Sequence, residues 1–239
     1  MLKQAKLAYH VGRVVMINNI LLIDKPKGIT SFDVIRILRK KLKIRKIGHA
    51  GTLDPLATGL LIIGIGKATK LLNQYVKLDK TYEAEILFGV KTDTGDIDGK
   101  VIEKKSIPQL SDQKINRVIN SLVGEIDLPV PKYSAIKRNG KPLYKYAREG
   151  KEIIVPIKKM RINWIKGSSL HYNSQSSSVP QTNISTIHIA LNVSSGTYVR
   201  SIAEEIGDRL GTVATIMNLR RIQIGQFSID QAVTPDNVK

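Results

Sequence analysis

The chain has no cysteine, which excludes disulfides and thiolate metal sites together. Histidine is scarce. His10, His49, His171 and His188 are the only four and none stand at ligand spacing, so no structural metal is expected. No run of ~18 apolar residues occurs, which excludes a spanning helix. Residues 1–23 are interrupted by Lys3, Lys6, Arg13, Asn18 and Asn19 and lack the apolar core of a signal peptide. These absences predict a cytoplasmic protein without a membrane partner. Acidic residues are also few. Twenty Asp and Glu stand against 38 Lys and Arg, for a formal net charge of +18. Such an excess favours a polyanionic partner, most commonly nucleic acid. With 239 residues and 42% hydrophobic content, the chain suits one large domain or two small ones around a sizeable core.

Residues 1–19 show no strong periodicity and read as an N-terminal extension. Ile20–Ile23 reads as a strand, followed by a turn at residues 24–28 and a helix from Ser31. Phe32, Ile35, Leu38 and Leu42 are expected on that helix's apolar side, with Arg36, Arg39, Lys40 and Lys43 on a basic outer face. A strand is expected at Leu60–Ile63 and another at Tyr82–Phe88. Ser111 is expected to cap a helix through Ile115, Val118, Ile119 and Leu122 that stops near Gly124. Residues 125–150 read as a basic loop with interleaved tyrosines and a short helix near Tyr144–Arg148. Strands follow at Lys159–Ile165 and Ile184–Val193, separated by a serine-rich stretch, 168–178, that reads as a flexible loop. A helix over Gly196–Leu210 and strands at Val213–Ile224 and Gln226–Ile229 close the chain.

The most informative stretch is Gly48-His49-Ala50-Gly51-Thr52-Leu53-Asp54-Pro55-Leu56-Ala57-Thr58-Gly59-Leu60-Leu61. It places one carboxylate among turn formers and small residues, directly before an apolar strand. Pro55 fixes its own φ and drives Asp54 toward an extended conformation. An acid in a stiff loop against a buried strand presents one reactive oxygen. Turn aspartates are common, and Asp54 alone would read as a turn cap. Gly64-Ile65-Gly66-Lys67-Ala68-Thr69 is no phosphate loop, because Leu61 stands where the first glycine of G-x-x-x-x-G-K-[ST] belongs and Ala68 follows the lysine.

The fourteen-residue string resembles the signature of the TruB family of pseudouridine synthases, close to G-H-x-G-x-L-D-P-x-A-x-G-x-L, and matches every fixed position. Further segments resemble the family in the same order: Asp24-Lys25-Pro26-Lys27-Gly28-Ile29-Thr30-Ser31, Lys80-Thr81-Tyr82-Glu83-Ala84, Ser195-Gly196-Thr197-Tyr198-Val199-Arg200 and Asn218-Leu219-Arg220-Arg221. The resemblance implies an α+β pseudouridine synthase fold over residues 20–239, a mixed and largely antiparallel sheet flanked by helices. It implies isomerisation of one uridine to pseudouridine in the T-loop of tRNA, at tRNA position 55, by a cytoplasmic, monomeric enzyme that needs no cofactor or metal. Asp54, Tyr82 and Arg200 become the catalytic residues: Tyr82 stacks on the extruded uracil and Arg200 pairs with Asp54. An arginine in the first turn of a helix is poorly placed against the helix dipole, which itself suggests a fixed partner. His49 takes the space of the flipped base, Leu219 walls the pocket, and Tyr198 joins them in substrate binding. Lys25 is expected at RNA phosphate, as are Lys132, Lys137, Arg138 and Lys141 in a basic insertion that grips RNA. Bacterial members commonly carry a further RNA-binding domain of the PUA type, expected here to be absent or removed. Two alternatives stay open: an RNA-guided subunit of the dyskerin type, and a non-catalytic tRNA-binding chaperone.

Overall fold

Two units make up the chain, Met1–Tyr82 with Leu219–Lys239, and Glu83–Asn218. The computed structural model describes residues 8–11, 14–17, 19–167, 171–173 and 184–238.

The first unit is organised by the strand Thr58–Ile65, buried along almost its whole length. One edge pairs antiparallel with Ile20–Lys25, in register from Ile20↔Gly64 to Lys25↔Gly59. The other edge is divided. Ile47–Ala50 takes it antiparallel at Ile62–Ile65, and Ala214–Ile224 takes it in parallel through Arg220↔Thr58 and Arg221↔Gly59. The loop 51–57 fills the gap between them. The loop that holds Asp54 is shorter than the run of turn formers from Gly48 to Gly59 led one to expect: His49 and its neighbours belong to a strand, whose Gly-His-Ala sequence carries no alternation to reveal it.

The helix Ser31–Leu42 begins at a capping box, with Thr30 accepting from Asp33 and the Asp33 carboxylate accepting from the Thr30 backbone. Val34, Ile35 and Leu38 pack on Leu21, Ile23, Leu61 and Ile63. Phe32 does not join them. It is 54% exposed, with the guanidinium groups of Arg36 and Arg39 5.9 and 5.7 Å from its ring centroid. Phe32 lies three residues before Ile35 but also four before Arg36, and adding Val34 to the apolar arc turns the buried face away from it. Within the extension 1–19, backbone strands Ala8–Val11 and Val14–Ile17 pair antiparallel, and Ile17 continues the pairing onto Ile20. Pairing at a sheet edge supplied the order that local periodicity did not.

In the second unit Ile157–Gly167 pairs antiparallel with both Gly124–Pro129 and Ile184–Val193. The helices Asp112–Asn120, capped by Ser111, and Val199–Leu210, ended by Gly211 at φ +88°, supply Ile115, Ile119, Ile202 and Ile206 to the buried interior. The first helix stops at Asn120, and Gly124 opens a strand instead of ending a helix. Residues 125–129, expected in the basic insertion, are thus part of the sheet. The insertion proper holds a two-residue hairpin, Lys137–Arg138 against Lys141–Pro142, turned by Asn139 and Gly140 at φ +51° and +77°, followed by the helix Leu143–Arg148. Except for the strand His171–Asn173, the serine-rich stretch 168–178 lies outside the described residues. Mixed, largely antiparallel pairing with packed helices agrees with the expected α+β class.

Candidate active site

Asp54 is half-buried in the loop 51–57 between two buried apolar anchors, Leu53 and Leu56. The chain around it is fastened at several points. The Ser31 hydroxyl accepts from the Leu53 amide at 2.8 Å and donates to the Leu53 carbonyl at 3.1 Å. The Gly28 amide donates to the Pro55 carbonyl at 2.9 Å, and the Ala57 amide to the Asp54 carbonyl at 3.1 Å. From beneath, the 1%-exposed Arg221 donates to the carbonyls of Gly51 at 3.1 Å and Leu60 at 2.7 Å, one on each side of the loop. Backbone groups in the loop are therefore satisfied by fixed partners, and the aspartate is held with little local freedom.

The role expected of Lys25 needs correction. Its side chain is fully buried, and Nζ donates to the carbonyls of Pro26 at 2.9 Å, Ile29 at 2.7 Å and Pro55 at 3.4 Å. It ties the turn 26–29 to the aspartate loop and does not face a phosphate. Lysine after a strand looks like a surface cation in sequence, but here the strand end is covered by its own following turn. Burial pushes the Lys25 pKa down to about 8; Asp54 opposes this and Arg221 adds to it. The unfolded chain keeps the ordinary value of 10.5. Between these two values the unfolded state binds more protons, so stability due to this group rises with pH across that window. Relative to Lys25→Met, the parent should gain up to about 3 kcal/mol from pH 8 to 10.5 in urea unfolding. A pH-independent difference between the two proteins would refute the buried-cation account.

The same unit holds His49, Tyr82 and Leu219. His49 is half-buried, its Nδ1 has no hydrogen-bond partner among the described residues, and burial followed by Arg221 lowers its pKa. Both causes disfavour the charged imidazole. Tyr82 is 8% exposed on the strand Lys80–Phe88, two residues after Lys80, whose Nζ donates to the Val76 and Leu78 carbonyls. Burial, then Arg221, pushes Lys80 down to about 8, with Asp79 opposing. The Leu219 carbonyl accepts from the Thr58 hydroxyl at 3.5 Å, and the adjacent Arg220 grips Asp24 with two bonds, 3.0 and 2.7 Å. Alternation along this strand sends Arg220 to one side and Arg221 to the other. Sequence reasoning left Arg221 without a role. The signal was available: two arginines in succession on a strand cannot both face solvent when one side of the sheet is covered.

Arg200 and Tyr198 belong to the second unit. Arg200 is 5% exposed at the second residue of Val199–Leu210 and donates to the carbonyls of Thr94 at 2.6 Å and Tyr133 at 3.0 Å. Those acceptors offset its unfavourable place against the helix dipole. Tyr198 immediately precedes the helix, and its amide donates to the Met160 sulfur at 3.5 Å. Of the four cations assigned to RNA, Lys132, Lys137 and Arg138 are exposed; Lys141 is half-buried, paired with Glu149 and 4.7 Å from the Tyr146 ring centroid. Arg138 also donates to the Ile154 carbonyl. Lys141 therefore already has an anionic partner, and Lys132 and Lys137 offer the more available charge. Among the described residues no group of three His, Asp or Glu is arranged to hold a metal.

Residues 39–199 match the family model described as TruB family pseudouridylate synthase (N terminal domain), and residues 200–239 match the tRNA pseudouridylate synthase B C-terminal domain. The chain is 41% identical to the tRNA pseudouridine synthase B of Endomicrobium trichonymphae over 91% of this chain and 89% of that one. It is 45% identical to the protein of the same name from Caldicellulosiruptor saccharolyticus, over 92% of this chain and 71% of that one. Among solved structures, a chain of a Cbf5–Nop10–Gar1 complex superposes with a TM-score of 0.66 at 25% identity. That alignment covers 91% of this chain, which spans about half (52%) of the length of the Cbf5-complex chain.

Proposed function

The chain belongs to the TruB family of pseudouridylate synthases, and from that premise we propose that it converts uridine to pseudouridine at position 55 in the T-loop of tRNA. The observation that carries the reading is the Asp54 loop, matched at every fixed family position and pinned by Ser31, Gly28 and Arg221. The reaction breaks the C1′–N1 glycosidic bond and forms a C1′–C5 bond, with the C5 proton ending on N1. No electrons or phosphoryl groups are exchanged, so the isomerisation requires no cofactor.

Asp54 acts on the sugar, either attacking C1′ or removing a sugar proton to leave a glycal. The freed uracil has to turn over without escaping. Tyr82 and Leu219 serve as its walls, the tyrosine ring stacking on the base. His49 fills the space the base vacates. Arg200 is assigned to orienting the Asp54 carboxylate, for which a planar guanidinium is suited. Lys132, Lys137, Arg138 and Lys141, with Tyr198, contact the RNA. The enzyme works in the cytoplasm as a monomer.

Unmodified tRNA incubated with the purified protein alone should acquire one pseudouridine, at position 55, in a carbodiimide-based mapping experiment. Modification only when a guide RNA and accessory proteins are added would favour the RNA-guided alternative. Tight tRNA binding with no pseudouridine under any condition would leave the chaperone reading.

A further inference from the structure

We infer that the outer face of the helix Ser31–Leu42, centred on Phe32, Arg36 and Arg39, is a second RNA-contact surface. It takes an unpaired nucleotide and its flanking phosphates from a part of the tRNA outside the isomerised stem-loop. This rests on the proposed tRNA substrate and extends it. The first observation is Phe32 itself. Phe32 is 54% exposed while Val34, Ile35 and Leu38 of the same helix are buried, so more than half of its apolar surface is left to solvent. Its ring is bracketed by two guanidinium groups within 6 Å, which keeps a flat apolar surface inside a cationic frame. A nucleotide offers the matching chemistry: a base face to stack on the ring and phosphates to meet the arginines.

The second observation is the charge around it. Residues 32–46 hold seven Lys and Arg and one carboxylate, Asp33. Asp33 is engaged at the helix start by Thr30 and by Arg36. Lys40 and Lys43 are exposed and continue the track, whereas Lys41 is turned to the carbonyls of Asp236 and Val238 and takes no part. From Phe32 to Lys43 the track runs roughly 16 Å at the helical rise, about the span of several nucleotides.

The direction of this face decides which RNA it meets. The helix packs its inner side on Leu21, Ile23, Leu61 and Ile63, so the exposed Phe32, Arg36 and Arg39 face away from the strands Ile20–Lys25 and Thr58–Ile65. RNA resting on them makes a contact additional to the one at the Asp54 loop. The basic insertion is a separate element and is not needed for this contact.

The test compares binding of full-length unmodified tRNA with that of an isolated T-arm stem-loop. Phe32→Ala should raise the Kd for full-length tRNA about fivefold or more and leave the stem-loop Kd within about twofold. Phe32→Trp should restore tight binding, because a larger ring stacks at least as well. The triple variant Arg36→Gln, Arg39→Gln, Lys40→Gln should lower the slope of log affinity against log salt by roughly 2 for full-length tRNA, from ~0.7–0.9 per phosphate contact. Unchanged binding of full-length tRNA by Phe32→Ala overturns the inference. Equal weakening toward both RNAs overturns it too, since the face would then serve the isomerised arm or the fold. Binding is read without turnover, so a parent that forms no pseudouridine would sink the preceding reading while this comparison still stands.

Discussion

Asp54→Asn is expected to lower turnover on unmodified tRNA by at least about a thousandfold, on the order of 4 kcal/mol in barrier, while the Kd for tRNA stays within about twofold. The amide keeps the shape of the carboxylate but neither attacks C1′ nor removes a sugar proton. Its loop is fastened through backbone atoms: Ser31 holds Leu53 by its amide and carbonyl, Gly28 holds the Pro55 carbonyl, and the Ala57 amide uses the Asp54 carbonyl. The loop should therefore keep its shape and its grip on RNA. Single-turnover kinetics by tritium release from labelled uridine separates chemistry from binding. Residual activity within about tenfold of the parent would remove Asp54 from the mechanism.

Gly59→Ala should be strongly damaging for a single added methyl group. Gly59 has φ +102°, and a Cβ there would stand 2.3 Å from the Arg221 carbonyl oxygen and 2.8 Å from its nitrogen. Those are backbone atoms of the parallel partner strand, so relief requires the strands to part. Arg221 would move with its strand, withdrawing its bonds from Gly51 and Leu60 and loosening the aspartate loop. A loss of at least about 3 kcal/mol is expected from the clash and the left-handed backbone together. Gly28→Ala is the control. Its φ is +87° but nothing lies within 4 Å of the added carbon, so only about 1 kcal/mol of backbone strain should appear. Urea unfolding of the two variants measures the difference. Similar losses at both positions would show that strain alone governs, and that close strand approach at Gly59 contributes nothing.

The strands and helices with strong periodicity were legible in the sequence. Ile20–Lys25, Thr58–Ile65, Lys80–Phe88 and Val199–Leu210 were recognisable because apolar residues recur at strand or helix spacing. Elements held by partners were not. Ile47–Ala50 is a strand because Thr58–Ile65 offers it an edge, and Gly124–Pro129 because Ile157–Gly167 does. Phe32 was misplaced because a residue on the rim of the apolar arc fits either side by spacing alone. At the site, the motif string pointed to the Asp54 loop, but charge in sequence carries no depth. Lys25 read as a phosphate-facing cation and Arg221 was given no role, and both are internal braces fastened to carbonyls. The Arg220-Arg221 pair signalled that one arginine turns inward, but nothing local showed that it would fill the floor beneath the Asp54 loop.

The fastening of the loop 51–57 also bears on how substrate recognition divides its entropy. A segment anchored through Ser31, Gly28 and Arg221 has its conformational choice made during folding, before any RNA arrives. Docking then has little ordering left to do at the aspartate, and the unfavourable entropy of association falls on the RNA, whose target nucleotide has to unstack and swing out. Substrate differences would accordingly follow how readily each RNA opens its loop, rather than how well the protein remoulds itself. A tRNA whose loop is held shut by its own tertiary contacts should react slowly even when it binds well.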